Sequence, residues 1–188
     1  FNRNKLYCYD ILKFIKCYLR ETTNLIELEN IVNVRDLGGY KTSDGKLTKH
    51  KIFYRSGNTD KSSKNDIKKL VEIYNVKTVI DLRSVEEINE SPDKFSEISQ
   101  VNYINIPIEY SECLEEFKST DRGLVVLYDY ILKEKKQVLK TIFETIANAD
   151  SGSILFHCTL GRDRTSMIAM LLLGLAGVSK KDIIENYT

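Results

Sequence analysis

The chain has 188 residues and a mass of 21.7 kDa, enough for one domain to bury its own core without disulfides or a structural metal. At 42% hydrophobic and 29% charged residues it lies outside the disordered and fibrous ranges. Lys+Arg 28 against Asp+Glu 27 leaves a formal charge of +1, which excludes the global basic field of a nucleic-acid binder.

Four cysteines, Cys8, Cys17, Cys113 and Cys158, stand far apart with no Cys-x-x-Cys pair. This argues against a disulfide framework and a zinc ribbon. The longest apolar run, Met167 to Ala176, is about half of the ~20 residues that would span a bilayer. There is no repeat, low-complexity tract or Pro-rich linker; Pro92 and Pro107 are the only prolines. The expected organisation is a single domain over residues 31–188, with residues 1–30 as an amphipathic helical segment packed on it. The sequence starts at Phe1 rather than Met, as a trimmed N-terminus would, and shows no signal peptide. Cytoplasmic and secreted locations both stay open.

Along the chain, Tyr7, Ile11, Phe14, Ile15 and Tyr18 recur at helical spacing with Lys13, Lys16 and Arg20 between them. Such a helix packs on the domain behind it; contact with a membrane surface is the alternative. Ile31 to Leu37 reads as a strand ending in Gly38-Gly39, Ser43-Asp44-Gly45 as a turn, and Ile52 to Arg55 as a second strand. Arg35-Asp36 before the glycines fits a tight strand-to-turn transition, with a role in bracing the loop as the alternative; Arg55 reads similarly, and His50 reads as solvated. Ile67, Leu70, Val71 and Tyr74 mark a helix capped by Ser63. Val76 to Ile80 is a strand that runs into Asp81, and Ser84 with Glu87 forms a capping box for the next helix. Val101 to Ile106 is a strand stopped by Pro107. Leu124 to Ile146 is one long helix, or two with a break near Lys133–Lys136. Ile154 to Phe156 is a buried strand, and Thr165 to Ala176, apolar nearly all round, a helix sunk in the core. Ser179 and Asp182 cap a last helix. Strands alternating with helices imply an α/β fold, a mostly parallel sheet with helices on both faces.

The chemistry is concentrated in His157-Cys158-Thr-Leu-Gly-Arg-Asp-Arg164-Thr165. A cysteine at the end of a buried strand, an arginine after five intervening residues and an immediate helix start make an anion cradle. Backbone N–H groups of Thr159, Leu160, Gly161 and Arg162 and the positive end of the helix share one concavity. Gly161 permits the tight turn, and Arg164 can grip two phosphate oxygens at once. A cysteine in such a field ionises readily and becomes a nucleophile. Asp163 inside the loop, or Asp81 at the end of another strand, would protonate the leaving oxygen. Thr165 would hydrogen-bond Cys158, and His157 would orient the loop. Cys8, Cys17 and Cys113 have no such setting.

The loop matches the Cys-x5-Arg signature of the protein tyrosine phosphatase superfamily. It resembles that of the atypical bacterial tyrosine/lipid phosphatases, whose usual form is His-Cys-x-x-Gly-Lys-Asp-Arg-Thr. Asn33-Val-Arg-Asp-Leu-Gly-Gly-Tyr40, Tyr54-Arg-Ser-Gly57 and Asp81-Leu-Arg-Ser84 are similar to further motifs of that family. The resemblance spans Ile31 to Tyr187. It implies the phosphatase fold, with Cys158 as nucleophile, Arg164 as phosphate binder, Asp163 as general acid and Asp81 near the pocket. It also implies a phosphoprotein or phosphoinositide substrate and neither metal nor cofactor. Arg162 stands where Lys is usual, which puts a lipid preference in doubt; Ser166 replaces a usual Gly, with little consequence expected. The segment from Pro107 to Tyr128 is too short for a large lid. The chain has 8 Arg against 20 Lys, and Arg35, Arg55, Arg83, Arg162 and Arg164 fall inside these stretches, as fixed bidentate contacts would require. Two rival functions remain at this level: a rhodanese-like sulfurtransferase, against which the Arg164-Thr165 ending argues, and a non-catalytic phospho-ligand module, which would need no Cys158.

Overall fold

A computed structural model describes residues 24–187; the expected N-terminal helix lies outside them. Five strands form one sheet in the order β1-β2-β5-β3-β4. β2 (Phe53–Ser56), β5 (Ser153–His157), β3 (Val76–Asp81) and β4 (Asn102–Asn105) run parallel, and β1 (Arg35–Asp36) pairs antiparallel with β2 on the edge. The mostly parallel arrangement follows from the alternation of strands and helices. Parallel neighbours need crossovers, and β2 reaches β3 through α1 (Lys64–Lys68), which continues as a wider turn over Lys69–Ile73.

Side chains of β5 alternate between two cores, as the pleat requires. Ile154 and Phe156 join Ile80 and Leu82 beneath α4 (Gly123–Glu134), α5 (Lys136–Ala147) and α6 (Asp163–Leu175). Leu155 points the other way, with Val76, Val79 and Tyr54, against Leu70, Val71 and Phe95. Helices therefore cover both faces. α2 (Val85–Glu90) buries none of its residues and sits over the end of β3. A short helix, α3 (Leu114–Ser119), precedes α4, and α7 (Lys180–Tyr187) closes the described chain. Among the described residues no helix is long and apolar enough to cross a membrane.

Local signals behave as expected at several ends. Ser63 and Ser84 both cap their helices with reciprocal bonds, to Asp66 and Glu87. The long apolar segment breaks into α4 and α5 at Lys135, and the Ser179 side chain accepts from Asp182 N at 3.2 Å. Two expectations are corrected. The strand expected from Ile31 to Leu37 survives only at Arg35–Asp36, because Asn33 takes φ 58; a left-handed residue cannot continue a strand. α6 is not buried all round. Residues 164–169 are enclosed, but past Leu173, at 2% exposure, the helix emerges from the domain and Leu175 is 77% exposed. Leu173→Ala should therefore cost about 2–5 kcal/mol in urea unfolding, and Leu175→Ala less than about 0.5 kcal/mol.

Candidate active site

Three parallel strands, β2, β5 and β3, end side by side, and the crevice beyond such ends is where α/β proteins build sites. β5 passes through His157 into Cys158, and the chain turns through Thr159–Arg162 into α6. Gly161 makes the turn with φ 67, and a Cβ there would run into the Ser56 carbonyl and the Gly57 amide. Its own carbonyl faces backwards, accepting from Arg55 Nη2 at 2.6 Å and Asn33 Nδ2 at 2.8 Å. On the other side of the loop, none of the backbone N–H groups from Thr159 to Arg164 donates to a protein acceptor among the described residues. A main-chain loop with pinned carbonyls and unspent amides is the construction of an anion-binding nest.

Cys158 lies at the base, 3% exposed. The Thr165 hydroxyl donates to its Sγ at 3.0 Å. Arg164, 6% exposed, reaches from the first turn of α6 and lies over the Tyr110 ring at 5.6 Å. Its bidentate partner is Glu87: Nη1 and Nη2 stand 2.6 and 2.8 Å from the carboxylate oxygens. Nη1 also contacts Leu82 O and Nη2 contacts Thr159 Oγ1, while Nε has no partner among the described residues. Glu87 further accepts from the Thr159 hydroxyl and the Ser84 amide. Burial opposes its charge, but the bonds from Arg164, Thr159 and Ser84 prevail and hold its pKa down at about 2. Burial likewise opposes charge on Arg164, and the Glu87 pairing more than offsets it, raising its pKa.

Asp163 opens α6 at the rim, half-buried, and its carbonyl accepts from the Tyr128 hydroxyl at 3.3 Å. Thr159, Leu160 and Arg162 are exposed around the mouth. Cys158, Asp163, Arg164 and Thr165 thus meet at one loop. Asp81 does not join them. It is wholly buried, clasped by the Arg83 Nε and Nη2 groups at 2.6–3.1 Å and by the Tyr103 hydroxyl at 2.9 Å. The reason is register: Asp81 stands beside His157 in the β3–β5 ladder, behind the loop.

Asp81 belongs to a second buried assembly with Asp93, Arg83 and His157. His157 Nε2 lies 2.8 Å from Asp93 Oδ2 and 3.8 Å from Asp81. Burial disfavours a charged imidazole, but the Asp93 bond and the two carboxylate charges win and raise its pKa. Asp93 also accepts from the Thr59 hydroxyl at 2.6 Å and the Phe95 amide at 2.7 Å. Asp81, Asp93 and His157 offer atoms within 4.8 Å of one another, the spacing of a metal site. Arg83 already sits between both carboxylates, so the group is read as a balanced ion network. It fixes the last residue before Cys158.

Several contributors lie outside the motif loop. Arg55, 1% exposed, follows the bracing alternative rather than the turn reading and is the rear support of the loop. Its Nη2 also reaches Ser166 Oγ at 2.6 Å, and Nη1 reaches Asn186 Oδ1 at 2.8 Å, so Ser166 has a use that was not expected of it. Arg35 holds Asn186 O at 2.8 Å. The surplus of arginine in the motifs was the available signal. For Asn186, on α7, there was none. Glu87 was visible only as a cap. Asp36 does make the expected turn, accepting from Gly38 N at 2.8 Å.

Fold and site define an α/β domain built around a cysteine in an anion-binding loop. The chain belongs to the tyrosine phosphatase family, whose model matches residues 26–188. A tyrosine-protein phosphatase of Nostoc commune is 39% identical over 115 residues, 60% of this chain and 39% of its own length. A Cupriavidus necator relative is 29% identical over 173 residues, 86% of this chain and 61% of its own. The chain thus spans less than two thirds of either curated relative. Among solved structures, TpbA of P. aeruginosa in complex with pTyr aligns at 17% identity and a TM-score of 0.39, covering 75% of this chain and 70% of that one. The core catalytic domain of the PP-IP phosphatase SIW14 of S. cerevisiae aligns at 16% identity and 0.43, covering 87% and 76%.

Two outcomes follow from this geometry. Gly161→Ala forces a side chain into a left-handed turn against the Ser56 carbonyl and should lower stability by about 1–3 kcal/mol in urea unfolding. Glu87, with its pKa lowered from 4.5 to about 2, contributes stability that is complete above pH 4.5 and disappears as the pH falls towards 2. Urea midpoints across that interval should fall less steeply for Glu87→Gln than for the parent chain.

Proposed function

We propose that this chain hydrolyses phosphomonoesters, phosphotyrosine foremost, through a cysteinyl-phosphate. The observation that carries the reading is the single loop in which unspent amides, Arg164 and the sulfur of Cys158 surround one space. Phosphate oxygens take the N–H groups of Thr159–Arg164 and the free Nε of Arg164, which spreads their charge over fixed donors. Cys158 sulfur attacks phosphorus, the ester P–O bond breaks, and its electron pair leaves on the alcohol or phenol oxygen. Asp163, at the rim, supplies the proton to that oxygen. The same carboxylate then takes a proton from water, whose oxygen attacks phosphorus. The P–S bond breaks, inorganic phosphate leaves, and the Thr165 hydroxyl steadies the departing thiolate. Glu87 holds the Arg164 guanidinium in place throughout, and the buried His157–Asp93–Arg83–Asp81 network keeps the strand end still. A pure phospho-ligand module would need neither a sulfur at the base of the cradle nor a carboxylate at its rim.

Phosphate release from a phosphotyrosine peptide tests the scheme. Cys158→Ser should reduce it to background while the urea midpoint stays near that of the parent. Asp163→Asn should slow esters of poor leaving groups by about 10²–10⁴-fold and esters of good leaving groups much less. Equal slowing of both would remove Asp163 from the proton-donor role.

A further inference from the structure

A groove of about 450 Å³ opens directly beside Arg164. Its floor and walls include Ile108, Tyr110 and Leu114, and its charged lining comprises Glu86, Glu87 and Glu109 together with Arg164. Glu87 and Arg164 are spent on each other. Glu86 and Glu109 are exposed and belong to no ion pair among the described residues. No lysine lines the groove. The phosphate seat and this groove share the Arg164 side chain, which is nine-tenths buried and has an unpartnered Nε, so a substrate held at the seat lays its next group into the groove.

We propose that this groove is a subsite for the residue flanking the phosphorylated one, and that Glu86 and Glu109 select a lysine or arginine there. The proposal rests on the hydrolase reading and narrows its substrate class to phosphoproteins with basic flanks. A lysine or arginine stem lies along Tyr110 and Leu114, as such stems do on apolar surface, while its cation meets the exposed carboxylates of Glu86 and Glu109. A second phosphate on an inositol ring laid into the groove would meet the same carboxylates, with Arg164 the one cation in its lining and that one paired to Glu87. Like-charge juxtaposition discriminates as strongly as attraction. The segment between Pro107 and Tyr128 thus acts as a wall: it supplies five of the residues that line this groove beyond the phosphate seat, Ile108, Glu109, Tyr110, Ser111 and Leu114.

The test compares kcat/KM for phosphotyrosine peptides that differ only in the flanking residue, Lys, Ala or Glu, and for a soluble inositol bisphosphate lipid headgroup with a short acyl chain. In the parent chain Lys should exceed Glu by about tenfold, mostly through KM. Pairs at an exposed rim are weak and screened, so the ratio should shrink as salt is added. The Glu86→Gln/Glu109→Gln double variant should bring the ratio to within about twofold, and Glu109→Lys should invert it. Equal rates for Lys and Glu flanks in the parent chain overturn the subsite, as does an unaltered ratio in the double variant or a headgroup turned over faster than the Lys peptide. The Ala-flanked peptide separates the two levels. Release from it without flank discrimination overturns the subsite alone, and absence of release from every substrate overturns the hydrolase reading as well.

Discussion

A phosphate cradle made of main chain exists only if successive peptide groups turn their N–H bonds to one side, and their carbonyls then need partners on the other. In this protein the carbonyl oxygen of Gly161 accepts from both Arg55 and Asn33, that of Leu160 also from Asn33, and that of Thr159 from the Asn58 amide. Much of the unusual chemistry nearby follows. Arg55 is buried in order to reach the Gly161 carbonyl, which costs desolvation, and with Arg35 close by its pKa is lowered to about 10. Asn33 adopts a left-handed backbone, which keeps β1 from extending back beyond Arg35, and its short polar side chain tolerates that conformation better than most. Gly161 is the residue type that the turn admits without a clash.

The strand that delivers Cys158 is held by a different means. Two carboxylates, a guanidinium and an imidazole are sealed behind the loop, each within 4 Å of an opposite partner. Buried ions are expensive unless the charges balance and the remaining lone pairs are satisfied. Thr59, Phe95 N, Tyr103 and Ser91 O complete the bonds here. Such a network gives little net stability for its cost, but it specifies one position for His157, and so for the sulfur that follows. Glu87 does for Arg164 what the network does for Cys158. It also ties the N-terminus of α2 to the loop, so a surface helix with no buried residues is coupled to Arg164 and Thr159.

Some of this was legible in the sequence. The alternation of strands and helices gave the parallel sheet, because period and length alone separate buried strands from amphipathic helices. The loop from His157 to Thr165 announced its chemistry, because Cys, Gly and Arg at that spacing before a helix have few other uses. The concentration of arginines in four short stretches pointed to fixed contacts, without saying with what. Asp81 shows where such reading stops. It ends a strand beside the crevice, and from sequence alone it was equally placed to face the pocket or to turn inward; Arg83, two residues on, decided for the interior.

The sequence by itself determined the fold class and the residues that can do chemistry, since both are written in local pattern: periodicity, caps, and a nine-residue loop. Only the tertiary structure decided which carboxylate stands at the rim, which guanidinium lies beside Cys158 at the loop and which ones brace it from behind. It also decided that an acidic groove adjoins the seat. These depend on pairings between residues as distant as Asn33 and Gly161, Arg55 and Asn186, or Glu87 and Arg164. A side chain's charge and reach are local properties, but its partner is chosen by how the strands and helices pack.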